Sequence, residues 1–166
     1  MESIQTRCSI RKYKNQKIEK EKINKILRAG FCAPSAMNQQ PWELIVIEKK
    51  ETLVQLSKIA SSATPLSTAT LGIVVCANLL CNHSIDFCQQ DLAAATENML
   101  VEANYLGIDS CWLGAYPNLE KVNKIKKIFD IPESVLPLWM ISFGYADETK
   151  EIKDKWNRNK IHYEMY

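Results

Sequence analysis

The sequence lacks any apolar run long enough to cross a membrane, and no apolar stretch follows Met1. A spanning helix needs about 20 consecutive apolar residues, and an export signal needs an apolar core near the N-terminus. We therefore expect a protein that stays in the cytoplasm. Repeats and low-complexity segments are missing as well, which argues against solenoid and disordered classes.

An excess of one charge is also missing, because 21 lysine and arginine residues face 19 acidic residues and leave a net charge of +2. The lysines are interleaved with glutamates along predicted helices, so the sequence shows no basic stripe of the kind that binds nucleic acid. Hydrophobic residues make up 46% of the 166 positions. This composition and length predict one globular domain that spans residues 1–166.

Paired cysteine motifs are absent, although the sequence contains six cysteines. A domain of this length does not need disulfides, and without an export signal we expect reduced thiols. Cys81, His83 and Cys88 raise zinc binding as an alternative. However, no C-x-x-C pair and no fourth ligand accompany them at a recognisable spacing, so we predict no metal site.

Apolar periodicity along the chain predicts helices and strands in alternation. The stretch at residues 71–77 is almost entirely apolar, which is typical of a central strand that is buried on both faces. Small residues at 93–95 would let a helix of another subunit approach a long predicted helix closely. The pattern favours an α+β or α/β domain with helices around one sheet. Helices are predicted at residues 2–6, 19–31, 51–60, 85–106 and 119–129, and strands at residues 43–48, 71–77, 110–115 and 138–145.

Residues 34–42, Pro-Ser-Ala-Met-Asn-Gln-Gln-Pro-Trp, form an uncharged stretch that we call the amide loop. Its three side-chain amides each offer a donor and an acceptor, which suits reading the edge of a heterocycle. Pro34 and Pro41 fix φ and stop neighbouring helices from absorbing the loop. An ordinary polar connection is the alternative, since loops of this composition are common.

Residues 7–11 form a basic stretch that we call the arginine segment. In an extended conformation its alternate side chains, Arg7, Ser9 and Arg11, would share one face. Two guanidinium groups and a hydroxyl within a short span suit a phosphate, and a solvated basic segment is the alternative. Gly114, after a predicted strand, would let a ligand ring approach backbone N–H groups.

Residues 146–166 form a polar, basic tail that carries Trp156, Tyr163 and Tyr166. We expect this aromatic tail to pack on the body of the protein or on a partner subunit, with a frayed terminus as the alternative. Lys153 and Lys155 add positive charge within it.

Four stretches together resemble the nitroreductase family of flavin-dependent oxidoreductases, in its short form. Residues 7–13, Arg-Cys-Ser-Ile-Arg-Lys-Tyr, are similar to the family's Arg-Arg-Ser-x-Arg-x-aromatic signature. Residues 33–42 resemble its Ala-Pro-Ser-x-x-Asn-x-Gln-Pro-Trp loop, and residues 91–107 resemble its long dimer helix. Residues 112–117, with Ile-Pro-Glu at 131–133 and Gly-Tyr at 144–145, match its downstream motif, so the resemblance covers essentially the whole chain.

The resemblance implies a three-layer α/β/α sandwich with a mixed central sheet and a C-terminal tail exchanged between two identical subunits. It implies FMN at the subunit interface, with the amide loop coming from the second subunit. It also implies hydride transfer from NADH or NADPH and a ping-pong reaction with nitroaromatic, quinone or similar acceptors, without a catalytic side chain. The implied FMN-binding residues are Arg7, Cys8, Ser9, Arg11, Pro34, Ser35, Ala36, Asn38, Gln40, Leu113, Gly114, Lys153 and Lys155.

The chain departs from the family pattern at several points. Cys8 stands where the family usually has a second basic residue, and Lys155 replaces what is often arginine. The insertion that covers the flavin in longer members is absent. These departures leave two alternatives: an FMN carrier or sensor with little turnover, and a dimeric scaffold without a cofactor.

Overall fold

The strands form one antiparallel sheet in the order β1-β2-β4-β3. The computed structural model describes residues 2–81 and 84–166. The strands are β1 (Trp42–Ile47), β2 (Leu71–Asn78), β3 (Asp109–Gly114) and β4 (Val135–Gly144). The helices are α1 (Glu2–Thr6), α2 (Lys20–Phe31), α3 (Lys50–Ser57), α4 (Ile85–Tyr105) and α5 (Leu119–Phe129), with 3-10 helices at Ala36–Asn38, Ser61–Ser67 and Arg158–Lys160.

Strand β2 is the centre of the fold, because its side chains alternate between two apolar clusters. Ile73, Val75 and Ala77 belong to a cluster that also contains buried residues of α2 and α4. Val74 and Cys76 belong to a second cluster, with buried residues of α3 and α5. Helices therefore cover both faces of the sheet, and the predicted three-layer α/β/α arrangement is confirmed.

Helices α2 and α4 pack closely together on one face of the sheet. Helix α2 buries Ile26 and Gly30 on the side that faces the core. At Gly30 an added Cβ would lie 2.9 Å from Cγ of Met99, so glycine permits this close approach. Asn98 of α4 also donates its Nδ2 to the carbonyl of Ala29 at 3.2 Å. This packing fixes the position of α4. As described below, α4 contacts both the amide loop and the arginine segment.

The prediction of a mixed sheet was wrong for the four strands, since every pairing among them is antiparallel. Ile47, at the end of β1, pairs with Gly72, near the start of β2. The connection through α3 therefore returns the chain to the end of the sheet where β1 ends. As a result, β1 and β2 run in opposite directions. Within the described residues, parallel pairing is confined to an isolated bridge between Ser9 and Ser110.

Strand β4 begins at Val135, before the predicted start at residue 138, and continues through Pro137. Its register with β2 shifts so that Val75 pairs with Trp139 while Cys76 pairs with Pro137. A proline has no N–H to donate to a ladder, and prolines inside sheets occur at such irregularities. The register shift therefore accommodates Pro137 inside the strand.

Helix α3 ends at Ser57, earlier than predicted, and the chain then forms the 3-10 helix Ser61–Ser67 that the sequence did not predict. Leu66 is fully buried in this segment. The Ser67 hydroxyl donates to the carbonyl of Thr64 at 2.7 Å, the kind of local bond by which short polar side chains compete with a regular helix.

Beyond Lys150 the tail is exposed except at half-buried Ile161, and Trp156 and Tyr163 are 75% and 80% accessible to solvent. These aromatic side chains therefore do not pack on their own subunit, and exchange of the tail between subunits stays a prediction.

None of the described helices combines the length and apolarity that crossing a membrane requires. The six cysteines are free thiols, and His83, part of the zinc alternative, lies outside the described residues.

Candidate functional site

The arginine segment follows α1 and runs beside the first residues of β3. Ser9 forms the parallel bridge with Ser110, and the Ile10 N–H donates to the Ser110 carbonyl at 3.0 Å. Ile10 is buried, whereas Ser9 is half-buried and Arg11 is exposed. The segment is therefore extended, and its side chains alternate between the core and the surface.

Tyr13 anchors the end of this segment to the sheet. Its hydroxyl lies 2.6 Å from the Ile10 carbonyl, to which it donates, and 2.8 Å from the Ser142 hydroxyl of β4. Burial raises the pKa of the Tyr13 hydroxyl, so that the group stays protonated and can donate. Burial likewise raises the pKa of the Cys111 thiol on β3, which keeps that neighbour neutral. Buried, neutral hydrogen-bonding groups thus anchor the end of the arginine segment to the sheet.

A cleft of about 600 Å³ lies between the N-terminal segment and the tail. The structure brings five of the predicted site residues together here, since Arg7, Cys8, Ser9, Lys153 and Lys155 all line this cleft. The remaining lining residues were not predicted from the sequence: they are Ile4, Gln5, Glu151, Ile152 and Asp154. The alternating charges at 150–155 offered a signal for two of them, Glu151 and Asp154.

Each arginine of the segment has a partner that the sequence did not identify. Arg7 Nε lies 3.1 Å from Oε1 of Glu97 on α4, and the Arg7 side chain is only 20% exposed. Arg11 is not among the cleft-lining residues, and its Nη1 donates to the Ser9 carbonyl at 3.4 Å. The Arg11 backbone N–H donates to Oε1 of Glu148 at 2.5 Å. No local sequence signal identifies Glu97, which lies 90 residues from Arg7.

The amide loop has an unusual backbone. Met37, Asn38 and Gln40 have φ values of 49°, 54° and 52°, in the left-handed region that non-glycine residues rarely adopt. Such residues cost about 1–3 kcal/mol each and tend to occur at functional sites. Hydrogen bonds hold the loop in place: Gln40 N–H donates to the Ser35 hydroxyl at 3.0 Å, and Gln40 Nε2 donates to Asn38 Oδ1 at 3.0 Å.

Helix α4 supports the amide loop and the arginine segment at different positions. Buried Asp91 accepts the Ala36 N–H at 2.9 Å, whereas Glu97 pairs with Arg7. The two carboxylates are six positions apart, which is about 9 Å along a helix and about 120° around it. The predicted residues of the amide loop, Pro34, Ser35, Ala36, Asn38 and Gln40, therefore lie apart from the arginine segment of the same chain.

The end of β3 presents an open position. Leu113 is buried, but Gly114 is exposed, and a Cβ added there would meet no heavy atom within 4 Å. The φ of Gly114 lies outside the left-handed region, so neither packing nor backbone conformation within this chain requires glycine. Gly114 lies four residues along β3 from Ser110, about 13 Å at 3.3 Å per residue.

Comparisons with known proteins agree with this architecture. Residues 4–88 and 83–145 match a family model described as "Nitroreductase family". A protein of Archaeoglobus fulgidus, provisionally named an NADH dehydrogenase/NAD(P)H nitroreductase, is 40% identical over 170 residues, which cover 100% of this chain and 98% of that protein.

Solved structures extend the similarity to the fold. A Clostridium acetobutylicum protein, provisionally named an NADH oxidase, superposes with a TM-score of 0.95 and 44% identity over 99% of each chain. An FMN-dependent nitroreductase from Clostridium difficile superposes with a TM-score of 0.92 and 31% identity over 99% of this chain and 98% of its own. The chain belongs to the nitroreductase family.

Proposed function

We propose that this protein is an FMN-dependent oxidoreductase that uses NADH or NADPH as electron donor and reduces nitroaromatic, quinone or similar acceptors. Membership of the nitroreductase family supports this, as does similarity to a structure named as an FMN-dependent nitroreductase. The observation that carries the proposal is the open position at Gly114, at the end of the strand that also holds the arginine segment.

The residues of the cleft fit the phosphate and ribityl end of FMN. Arg7, Ser9, Lys153 and Lys155 offer positively charged and hydroxyl donors around one cavity, and such donors form strong hydrogen bonds to phosphate oxygens. Cys8 adds a neutral thiol to the same lining. Arg11 follows Ser9 on the same segment and does not line the cleft itself.

The end of β3 fits the ring of FMN. An exposed glycine without left-handed geometry leaves room for a flat group to approach the backbone, and Leu113 supplies the buried support behind it. The distance along β3 from Ser110 to Gly114 suits a ligand with a phosphate at one end and a ring system at the other.

The amide loop completes the site from a second subunit in this proposal. Its strained backbone presents Asn38 and Gln40 as a bonded pair, yet the loop is held away from the arginine segment of its own chain. A two-fold symmetric dimer would bring the loop of one subunit to the β3 edge of the other. Pro34, Ser35 and Ala36 would then line the ring as well.

Bound FMN supplies the two-electron chemistry, so the protein needs no acid or base of its own. The backbone N–H of Gly114 would favour negative charge that develops on the ligand, as a donor in an oxyanion hole does, whereas the N–H groups of Ala115 and Tyr116 already donate to the Leu138 carbonyl. We propose ping-pong kinetics, in which the nicotinamide product leaves before the acceptor enters the same open position.

The visible absorption spectrum of the purified protein with FMN tests this proposal. We expect flavin bands that bleach within seconds after anaerobic addition of NADH or of NADPH, and the effective donor identifies the nucleotide preference. Bands that persist with both donors would favour the FMN carrier or sensor instead. Protein that binds no flavin at all would contradict the cofactor site.

Arg11→Ala is expected to weaken FMN binding by about 1.5–3 kcal/mol, the scale of a lost hydrogen bond to a charged group. Titration of flavin fluorescence measures the change. Lys124→Ala is the control, because it removes one positive charge from α5, outside the cleft. Lys124 Nζ lies 2.7 Å from Oε1 of Glu120 on the same helix. Equal affinities of the two variants would remove Arg11 from the site.

A further inference from the structure

The arginine segment has one backbone edge that faces β3 and one that faces away from it. On the inner edge, the Ile10 N–H donates to the Ser110 carbonyl. In an extended chain the carbonyl of residue 9 and the N–H of residue 11 point to the opposite side from the N–H of residue 10. An open edge of this kind leaves backbone groups to water unless something else pairs with them.

Glu148 and Lys150 close this outer edge with their side chains. Glu148 Oε1 accepts the Arg11 N–H at 2.5 Å, and Lys150 Nζ donates to the Ser9 carbonyl at 2.8 Å. The two side chains also contact each other, with Nζ and Oε1 3.4 Å apart, and they are 31% (Lys150) and 22% (Glu148) exposed. The bond from the Arg11 N–H lowers the pKa of the Glu148 carboxyl, with Lys150 as a further cause, so Glu148 is ionised at neutral pH.

The ionic pair continues a backbone pairing between the two ends of the chain. Lys14 N–H donates to the Tyr145 carbonyl at 2.8 Å, and Asp147 N–H donates to the Lys12 carbonyl at 2.9 Å. Beyond Asp147 the side chains of Glu148 and Lys150 take the place of backbone partners. The next residues, 151–155, line the cleft. The pair therefore joins the arginine segment to the part of the tail that carries Lys153 and Lys155.

We infer that Glu148 and Lys150 are positioning residues that preset the arginine segment for the phosphate of FMN. This inference rests on the proposed function and deepens it. Neither residue needs to touch the cofactor. By holding the backbone on both sides of Ile10, the pair removes freedom that Ser9, which lines the cleft, would otherwise lose when the phosphate binds. Preorganisation of this kind increases affinity.

The test compares FMN with riboflavin, which lacks the phosphate, in binding titrations of Lys150→Met and Glu148→Ala. Each variant is expected to bind FMN about tenfold more weakly than the wild type and to bind riboflavin with wild-type affinity. The double variant is expected to lose no more than about tenfold in FMN affinity, because the pair acts as one unit. Lys150→Arg and Glu148→Gln keep a donor and an acceptor in place, so they are expected to restore FMN affinity to within about threefold.

Matched controls come from the exposed Glu120–Lys124 pair of α5. Glu120→Ala and Lys124→Met should leave the affinities for FMN and for riboflavin unchanged. Equal losses for FMN and riboflavin, or no loss, would overturn the inference. Stronger FMN binding by Glu148→Ala together with weaker binding by Lys150→Met would also overturn it, because Lys150 would then be a direct phosphate ligand. Wild-type protein that binds neither ligand would instead contradict the proposed function.

Discussion

Gly114→Val is expected to weaken FMN binding about 1,000-fold, or ~4 kcal/mol at 1.4 kcal/mol per tenfold change, while the folded chain keeps its thermal stability. A Cβ at this position would meet no heavy atom within 4 Å of the same chain. The Cβ of the new side chain therefore has room in the free subunit, and the valine would fill the space that the proposed ring needs. Any large effect must come from a bound ligand or a partner subunit.

The measurement pairs a fluorescence titration of FMN with a thermal unfolding curve of the apoprotein. Gly72→Ala is the contrasting variant, because its Cβ would lie 2.7 Å from Cδ2 of buried Leu53. It should lower the unfolding temperature and leave FMN affinity unchanged in the folded fraction. Tight FMN binding by Gly114→Val would place the ring elsewhere. A lower unfolding temperature for this variant would show that Gly114 serves the fold or the dimer.

The architecture was largely predictable because most elements carry their burial pattern in the sequence. The apolar stretch at 71–77 belongs to the central strand, since a strand covered on both faces has no polar side. The last strand was predicted to start at residue 138, after Pro137, but Pro137 lies inside β4 because the register shift opposite Val75 and Cys76 accommodates it. A register shift depends on the partner strand, so no local pattern could have revealed it.

The site was predictable only in part. Arg7, Ser9, Lys153 and Lys155 lie around one cleft, and their selection depended on the resemblance to a family more than on residue types. The groups that hold the arginine segment were missed, because Glu97 and Glu148 are far from it in sequence. Charged side chains on helices and tails usually face solvent, so their partners become apparent only in three dimensions.

The strongest test of the shared site is complementation between two defective subunits. Arg11→Ala damages the arginine segment and Asn38→Gly damages the amide loop, where glycine tolerates the φ of 54°. Each homodimer alone should bind FMN weakly at both sites. After subunit exchange in an equal mixture, half of the dimers are mixed and each holds one intact site, so about a quarter of all sites should recover wild-type affinity.

The matched control mixes wild-type protein with a chain that carries both substitutions. There, mixed dimers hold two sites with one defect each, so tight sites should fall from about half to about a quarter of the total as subunits exchange. A site built within one subunit predicts no change in either mixture. A rise in the fraction of tight sites in the first mixture, with a fall in the second, therefore requires that Arg11 and Asn38 of different subunits form one site. A constant fraction in both mixtures would show that Arg11 and Asn38 of the same chain act together.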